Sequence, residues 1–390
     1  MILVDATHTS HSTARTGIQQ LTRRLIAPAD GSAAFAPITY DMFWRAWRAL
    51  DPDEAEIANA GSASGKSRRA QWSVRQKWRG RMARLMGDAP PFPERAEALI
   101  ASEVFPKEVG AAYRKLFNRI DGPRVAVFHD AIPLTHPEFT PPKTVARFPA
   151  YLEELRQFDG VAAVSQHSHD ALAGFWKWAG GKAPPVVAIH SGVAPPAEPC
   201  GPPPSDGVPQ VLSVGTIEGR KNHAALLEAA GSLWAAGARF ELHIVGFPRP
   251  ETAAPAIARI EELRAAGRPL VYHGSLDDDG LEERWRSCRF SVYPSLIEGY
   301  GLPVIESVAR GRPCICSAVG ATGEAADGGG CLALESVDPE SLASAIRRLL
   351  EDSAEYEHLR ATAFARPVRT WADYRRDLAA WIGTVKRISP

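Results

Sequence analysis

Two stretches of this sequence set charged side chains among glycines in a way that suits a polyanionic ligand. The first is Gly215-Thr-Ile-Glu-Gly-Arg-Lys-Asn-His223, which follows the strand-like Val211-Leu-Ser-Val214 and precedes a helical pattern from Ala224 to Ala236. Gly215 at a strand exit lets a ligand approach the backbone. Arg220 and Lys221 add two cations where a helix N-terminus already offers free N–H groups and a favourable dipole. A diphosphate suits such a spot, and a solvated surface turn is the plain alternative. The second stretch, Tyr293-Pro-Ser-Leu-Ile-Glu-Gly-Tyr-Gly-Leu-Pro-Val-Ile-Glu-Ser307, also follows a strand pattern. Gly299 and Gly301 allow a tight turn, and Pro303 starts a helix that would stop at Gly311. Glu298 then lies in the loop and Glu306 on the first helical turn, a separation that suits a sugar hydroxyl and a ribose diol. The alternative is a solvated Glu298 and a Glu306 that only offsets the helix dipole.

Taken together and in this order, Gly-Thr-Ile-Glu-Gly-Arg-Lys-Asn and Glu-Gly-Tyr-Gly-Leu-Pro-Val-Ile-Glu resemble the donor half of family 4 retaining glycosyltransferases of the GT-B fold. The resemblance implies that Arg220 and Lys221 hold the donor diphosphate, that Glu298 meets the transferred sugar and that Glu306 binds the ribose hydroxyls. It also implies that Gly215, Thr216 and the turn Gly299, Tyr300, Gly301 and Leu302 embrace sugar and phosphate, that Gly246 flanks the nucleotide and that Leu276 lies beside the base. In the first half, Gly17 in Thr16-Gly-Ile-Gln-Gln20 resembles the family's glycine loop near the diphosphate. His129, in Val127-Phe-His-Asp-Ala-Ile-Pro133, resembles a histidine near the transferred sugar; without the resemblance it reads as a structural histidine. Asp130 and Ser165 fall at acceptor-side positions. Departures occur at Thr322-Gly-Glu324, where the family commonly has Pro-Glu, and at His190-Ser-Gly192, where it has Asn-Gly. Both bear on acceptor or sugar preference more than on reaction class.

Positioning these residues requires parallel sheets. At 390 residues the chain exceeds what one core usually organises. Strand patterns at Ile2 to Ala6, Ala36 to Tyr40, Arg124 to Phe128, Val161 to Val164 and Val186 to Ile189 alternate with helical patterns. After a proline-rich stretch they resume at Val211 to Val214, Glu241 to Val245, Leu270 to Tyr272, Phe290 to Tyr293 and Cys314 to Cys316. The expectation is an α/β chain of two Rossmann-like, doubly wound domains facing a cleft, the GT-B architecture that the resemblance implies. It comprises an acceptor-side domain over 1–195, a linker over 196–209, a donor domain over 210–370 and a closing helix over 371–390 that crosses back to the first domain. Ligands of such sheets bind beyond the carboxyl ends of the strands. The clearest helix begins at Asp338-Pro339, a capping aspartate followed by proline at the first helical position.

Composition narrows the partners. Forty-five basic residues balance forty-five acidic ones, so no global field points to nucleic acid. Of the five cysteines, four lie in or beside apolar runs and read as reduced core thiols, which fits a reducing cytoplasm. Cys314 and Cys316 lack the second pair that a zinc site needs. No stretch reaches the roughly 18 apolar residues of a membrane span, and no leader is expected at Met1. No metal and no cofactor beyond the nucleotide-sugar substrate is expected. Asp277-Asp-Asp279 reads as a helix cap with charges that complement the dipole, rather than as a metal-binding acidic motif.

From Ile57 to Gly87 there is no acidic residue, while Lys66, Arg68, Arg69, Arg75, Lys77, Arg79, Arg81 and Arg84 accumulate. Val74, Trp78, Met82 and Leu85 share one helical face. Two readings stand side by side: a peripheral anionic-membrane contact through 66–86, and a helix packed by its apolar face on the first domain with solvated arginines.

The function expected is retaining, metal-independent transfer of a hexose from a nucleotide diphosphate to a glycan or lipid-linked acceptor in bacterial surface-polysaccharide or lipopolysaccharide assembly. The wording of the first motif resembles a mannosyltransferase-rich subgroup, so GDP-mannose stands first, with a UDP-sugar beside it. Rival readings on the same fold are a non-catalytic nucleotide-sugar binding protein and a nucleotide-sugar epimerase.

Overall fold

The computed structural model describes residues 1–14, 16–27, 35–59, 70–93, 95–196, 200–204 and 207–387. Lys66, Arg68 and Arg69 of the basic segment and residues 197–199 and 205–206 of the proline-rich stretch lie outside them. The chain forms two compact units. One comprises Met1–Leu134, Pro141–Ser191 and Trp371–Pro390, and the other Thr135–Thr140 and Gly192–Thr370.

The first unit is built on a sheet of β1 (Ile2–Asp5), β2 (Phe35–Asp41), β3 (Ala46–Ala49), β4 (Ala98–Ala101), β5 (Arg124–Phe128), β6 (Gly160–Ala163) and β7 (Val186–Ala188), in the order β3-β2-β1-β4-β5-β6-β7. The described pairings are parallel except β2 with β3, which form an antiparallel edge. The inner strands are apolar on both faces, as a parallel sheet between helix layers requires. Leu3, Leu99, Ala126 and Val161 share one core with Tyr113, Leu152, Phe158 and Trp176 from the covering segments. The helix Trp371–Ile382 belongs to this unit: Arg375 donates to the Ala27 carbonyl at 2.5 Å, and Trp381 lies over Gly160.

The second unit has a sheet of β8 (Gln210–Val214), β9 (Glu241–Val245), β10 (Leu270–Gly274), β11 (Phe290–Tyr293), β12 (Cys314–Ser317) and β13 (Cys331–Leu334), in the order β10-β9-β8-β11-β12-β13. Its described pairings are parallel. Counted within the unit this is the 3-2-1-4-5-6 order of a dinucleotide-binding sheet, whose ligand crevice lies where the winding reverses, between its first and fourth strands. Those are β8 and β11. The five cysteines are free thiols, and no helix among the described residues is long and apolar enough to cross a membrane.

Three strands escape the sequence pattern. Ala46–Ala49 is a short edge, Ala98–Ala101 carries one β-branched residue, and Cys331–Leu334 none. The helix after Gly301 spans Leu302–Val308, so it ends before Gly311, and Glu306 is its fifth residue rather than a first-turn residue.

The basic segment differs in orientation from the packed-helix expectation. The helix Val74–Met86 starts with a capping box between Ser73 and Gln76. It packs through Gln76, Gly80 and Ala83, which leaves Val74 83%, Trp78 66% and Leu85 80% exposed. A Cβ on Gly80 would lie 2.9 Å from Asp41 Oδ1 and from Phe43 Cβ, so a small residue is needed where the helix crosses the β2–β3 turn. The apolar stripe faces away from the core.

Candidate functional site

The loops that leave β8 and β11 meet at the reversal point of the second sheet. After β8, Gly219–Lys221 form one 3-10 turn, and Asn222, at φ 56°, caps the helix His223–Ala235 and donates to the Val337 carbonyl at 2.8 Å. A left-handed φ is tolerated by asparagine better than by most residues, which accounts for the Arg-Lys-Asn order. The two cations therefore sit on a tight turn just before the helix. The Leu296 amide donates to the Arg220 carbonyl at 2.9 Å and ties the β11 loop to this turn.

Glu298 is the centre of the cluster. Its Oε2 accepts from Arg220 Nη1 at 2.7 Å, and its Oε1 accepts from Lys221 Nζ at 2.6 Å, from the Ser295 hydroxyl at 2.6 Å and from the Tyr293 hydroxyl at 2.8 Å. Lys221 also donates to the Tyr293 oxygen. Burial alone would raise the Glu298 carboxyl, but Arg220 and Lys221 outweigh it and hold the group down at about 2. Lys221 is shifted the other way, lowered by burial and by the charge of Arg220 against the pull of Glu298. The asymmetry follows from the partners: the carboxylate faces two cations and two hydroxyls, whereas the ammonium shares one carboxylate with a second cation. Burial and the Glu298 charge raise the Tyr293 pKa well above the ordinary range and keep the hydroxyl protonated.

Glu218 supports the cluster from behind. It is buried, and its two oxygens lie 2.8 Å from Arg220 Nη2 and from Arg249 Nη1. Burial opposes its charge, yet Arg220 and Arg249 keep its pKa below the ordinary value. Tyr293, Ser295, Glu218 and Arg249 were not singled out by spacing. Only the position of Glu218, two residues before Arg220 in a turn, hinted at a partner for the cation.

Gly215 and Gly246 are explained by one close approach. A Cβ on Gly246 would lie 1.8 Å from the Gly215 carbonyl oxygen, so the exits of β8 and β9 touch backbone to backbone. Thr216 follows within the same exit and is half-buried. Gly301 sits at φ 106° as the residue before the helix Leu302–Val308, the region where glycine is favoured. Gly299, Tyr300 and Leu302 complete that turn; Tyr300 and Leu302 pack on a small core with Val304 and Ala325. Glu306 is half-buried on the same short helix, and its carbonyl accepts from Arg310 at 3.0 Å. Leu276, in the loop after β10, packs beside Leu212, Val245 and Trp285. Asp277 caps the helix Asp278–Ser287, accepting from the Gly280 amide at 2.8 Å. Among the described residues no cluster of three or more histidine, cysteine or acidic side chains is placed to hold a metal ion. Gly323 of the Thr322-Gly-Glu324 departure is demanded by its backbone, since a Cβ there would lie 2.0 Å from the Ala318 carbonyl.

In the first unit His129, Asp130 and Ser165 lie at strand exits, and Gly17 lies further from its strand, at a helix start. Gly17 opens the helix Gly17–Ile26 behind its N-cap Thr16, and Arg23 holds the preceding loop through the Ser12 and Ala14 carbonyls at 2.7 and 2.6 Å. His129 follows β5 and is buried, with Nε2 2.8 Å from the Ser102 carbonyl. A carbonyl only accepts, so Nε2 carries the proton and Nδ1 is left as an acceptor in the neutral ring. Burial outweighs that bond and lowers the His129 pKa to about 4. Asp130 accepts from the Ile132 amide at 3.0 Å and starts the short helix Ile132–Thr135. Ser165 is fully buried, and its hydroxyl oxygen accepts from the Ser168 amide at 3.0 Å as the N-cap of Gln166–Ala179.

The reversal point of the first sheet, between β1 and β4, carries a buried pair that the sequence did not reveal. Asp5 accepts from Thr7 and from the Tyr113 hydroxyl, and Glu103 accepts from the His8 amide at 2.6 Å and the Thr9 amide at 2.8 Å. Burial first, and then the nearby Asp5 charge, pushes Glu103 up to about 8.

Residues 208–352 match the family model described as glycosyl transferases group 1. Over 165 residues the chain is 28% identical to the serotype-specific mannosyltransferase WbdA of Escherichia coli, covering 42% of this chain and 20% of that protein. Over 155 residues it is 30% identical to the O-antigen chain mannosyltransferase B of Escherichia coli, covering 40% of each. The chain thus spans only a fifth to two fifths of the length of these relatives. Among solved structures, HepE of Anabaena, in complex with UDP and glucose, matches over 98% of this chain and 99% of its own at 15% identity, with a TM-score of 0.67. A sucrose-phosphate synthase from Thermosynechococcus elongatus matches over 98% of both chains at 18% identity, with a TM-score of 0.64. The second unit thus resembles the glycosyl transferases of group 1, and nearly the whole chain has the GT-B fold of these solved structures.

Proposed function

We propose that the chain transfers a hexose from a nucleoside diphosphate donor to a glycan or lipid-linked acceptor with retention of anomeric configuration. The observation that carries this reading is the buried cluster of Arg220, Lys221 and Glu298 at the exits of β8 and β11. Cleavage of the bond between the anomeric carbon and phosphate leaves negative charge on the diphosphate and a cation-like sugar. Arg220 and Lys221, held together by one buried carboxylate, are suited to the first. Their positive charge also does what a divalent metal does elsewhere, so the reading is of metal-independent transfer. Glu298 stays ionised down to about pH 2 and is suited to accept hydrogen bonds from sugar hydroxyls. Glu306 is the candidate for the ribose diol, and the turn Gly299 to Leu302 for the sugar and phosphate oxygens.

Retention follows in this reading from a same-face displacement in which the leaving phosphate takes the acceptor proton. Among the residues argued for the site, no two carboxylates flank the reacting bond as in a double displacement. In the first unit, His129 in its neutral form presents an acceptor nitrogen and is the candidate group beside the transferred sugar. GDP-mannose is the first donor to test, because WbdA and the O-antigen chain mannosyltransferase B are named mannosyltransferases, and UDP-glucose the second, because HepE was solved with UDP and glucose. Assembly of a bacterial surface polysaccharide such as lipopolysaccharide, in a reducing cytoplasm, completes the reading and agrees with the five free thiols.

The test is nucleoside diphosphate release from a panel of nucleotide sugars, with and without glycan and lipid-linked acceptors, followed by determination of the anomeric configuration of the product. Acceptor-dependent release with the donor configuration kept supports the reading. An inverted product removes retention. Tight donor binding without release under any acceptor assigns the chain instead to nucleotide-sugar binding.

A further inference from the structure

The helix Val74–Met86 has two opposed stripes, and the fold uses only one. Gln76, Gly80 and Ala83 recur at helical spacing and face the unit, while Val74, Trp78 and Leu85, with half-buried Met82, recur on the opposite side. The helix is firmly held. Gln76 donates to Glu54 at 3.1 Å, Arg79 pairs with Asp51 at 2.9 Å, Trp44 donates to the Asp88 carbonyl at 3.2 Å, and Gly87 closes the helix at φ 73°. Before it, the Gln71 amide donates to the His11 carbonyl at 2.7 Å, and Trp72 stacks on His11. The exposed apolar stripe therefore belongs to an anchored element.

Cations border that stripe. Lys77, Arg81 and Arg84 line one side and Arg75 the other, and all four are exposed. Arg81 lies over the Phe43 ring, and among the described residues Arg75, Lys77 and Arg84 enter no ion pair. The sequence offers no acid between Ile57 and Gly87 to neutralise them.

We infer that this face docks the protein on an anionic lipid bilayer, with Val74, Trp78 and Leu85 entering the headgroup boundary and Arg75, Lys77, Arg81 and Arg84 meeting lipid phosphates. A helix with a tryptophan and aliphatic residues on one face and cations beside them lies in the plane of such an interface. At 13 residues it is far shorter than the roughly 20 that span a bilayer. Charge selects this occupant over a second copy of the chain, because a symmetric contact would set one cationic border against another. The inference is independent of the transfer reaction, since binding to vesicles is read without turnover.

Cosedimentation of the full chain with phosphatidylcholine vesicles, with and without phosphatidylglycerol, at low and physiological salt, tests it. Binding is expected to the anionic vesicles alone and to weaken as salt rises. The double variant Trp78→Glu with Leu85→Glu is expected to lose at least about tenfold in binding with its melting temperature unchanged, since both side chains already face solvent. Absence of binding to anionic vesicles at low salt, equal binding of the variant, or equal binding to neutral vesicles would each overturn the inference. So would concentration-dependent dimerisation that the double variant abolishes while vesicles capture nothing.

Discussion

Lys221 Nζ lies 2.6 Å from Glu298 Oε1, and both side chains are about nine-tenths buried. The pair thus joins the loop after β8 to the loop after β11 and holds the ammonium that the proposed function sets against the donor diphosphate. Lys221→Ala is expected to lower turnover by roughly a hundredfold or more, the usual cost of removing a donor aimed at such charge. Glu298 keeps Arg220, Ser295 and Tyr293 in the variant, so folding survives at a cost of about 1–3 kcal/mol. Steady-state transfer beside thermal melting checks both, and near wild-type turnover in a folded variant would sink the assignment.

Glu218 acts on the site through Arg220. Replacing it by glutamine removes the charge between two half-buried guanidiniums and leaves Arg220 with Glu298, and Arg249 with Glu251, as its carboxylate. Glu218→Gln is expected to raise the donor KM by about tenfold with a smaller change in kcat, because the orientation of Arg220 is loosened while its charge remains. Glu218→Asp is expected to recover part of the loss. A variant that falls in kcat alone would argue that Glu218 has a direct part in the reaction.

Gly246 offers a test of stability by geometry alone. Gly246→Ala places a Cβ 1.8 Å from the Gly215 carbonyl, a contact no side-chain rotation relieves. It should cost more than about 3 kcal/mol or prevent folding of the second unit. Gly267→Ala is the control: φ is +69° with nothing within 4 Å, so the cost is backbone strain of about 1–2 kcal/mol. Urea unfolding of the two variants side by side reads the difference, and equal costs would refute the close-approach argument.

Arg220, Lys221 and Glu298 were legible in the sequence as candidates because each follows a strand pattern among glycines, and the two strands that carry them are neighbours in the sheet, which brings them together. Arg249 was not, since it reaches Glu218 from 31 positions away, and Tyr293 and Ser295 were not, since a neutral hydroxyl in a loop carries neither the charge nor the period that would mark it, although both lie close to Glu298 in sequence. The strands Ala98–Ala101 and Ala46–Ala49 were missed because they are short and poor in β-branched residues, and sheet neighbours rather than local preference make them strands. The helix Val74–Met86 shows the limit of hydrophobic periodicity most directly. Its apolar stripe was evident, but the side that packs was decided by the space at Gly80 and the bond from Gln76 to Glu54.

Asp5 and Glu103 give the fold a pH dependence of a sign opposite to that of the ion pairs. Glu298 and Glu54, both held at about 2, contribute stability that is present above the ordinary value of 4.5 and is lost as pH falls toward 2. His129, lowered from 6.5 to about 4, contributes stability that is present above 6.5 and is lost as pH falls toward 4. Glu103 runs the other way. Between 4.5 and about 8 the unfolded chain releases this proton while the folded chain keeps it, so stability falls as pH rises through that window. Above about pH 7 the unfolded chain's His129 is mostly neutral as well, so between pH 7 and 8 Glu103 dominates among these groups, with an expected fall of up to about 1.4 kcal/mol per pH unit. Asp5→Asn removes the charge that helps to raise Glu103 while keeping an oxygen for the Thr7 amide and a donor for the Tyr113 hydroxyl oxygen. The slope over pH 7 to 8 is therefore expected to flatten in the variant, as read from urea unfolding in a pH series. A wild-type stability that rises across that window, or a variant with the same slope, would show that the two carboxyls do not hold the proton as their burial implies.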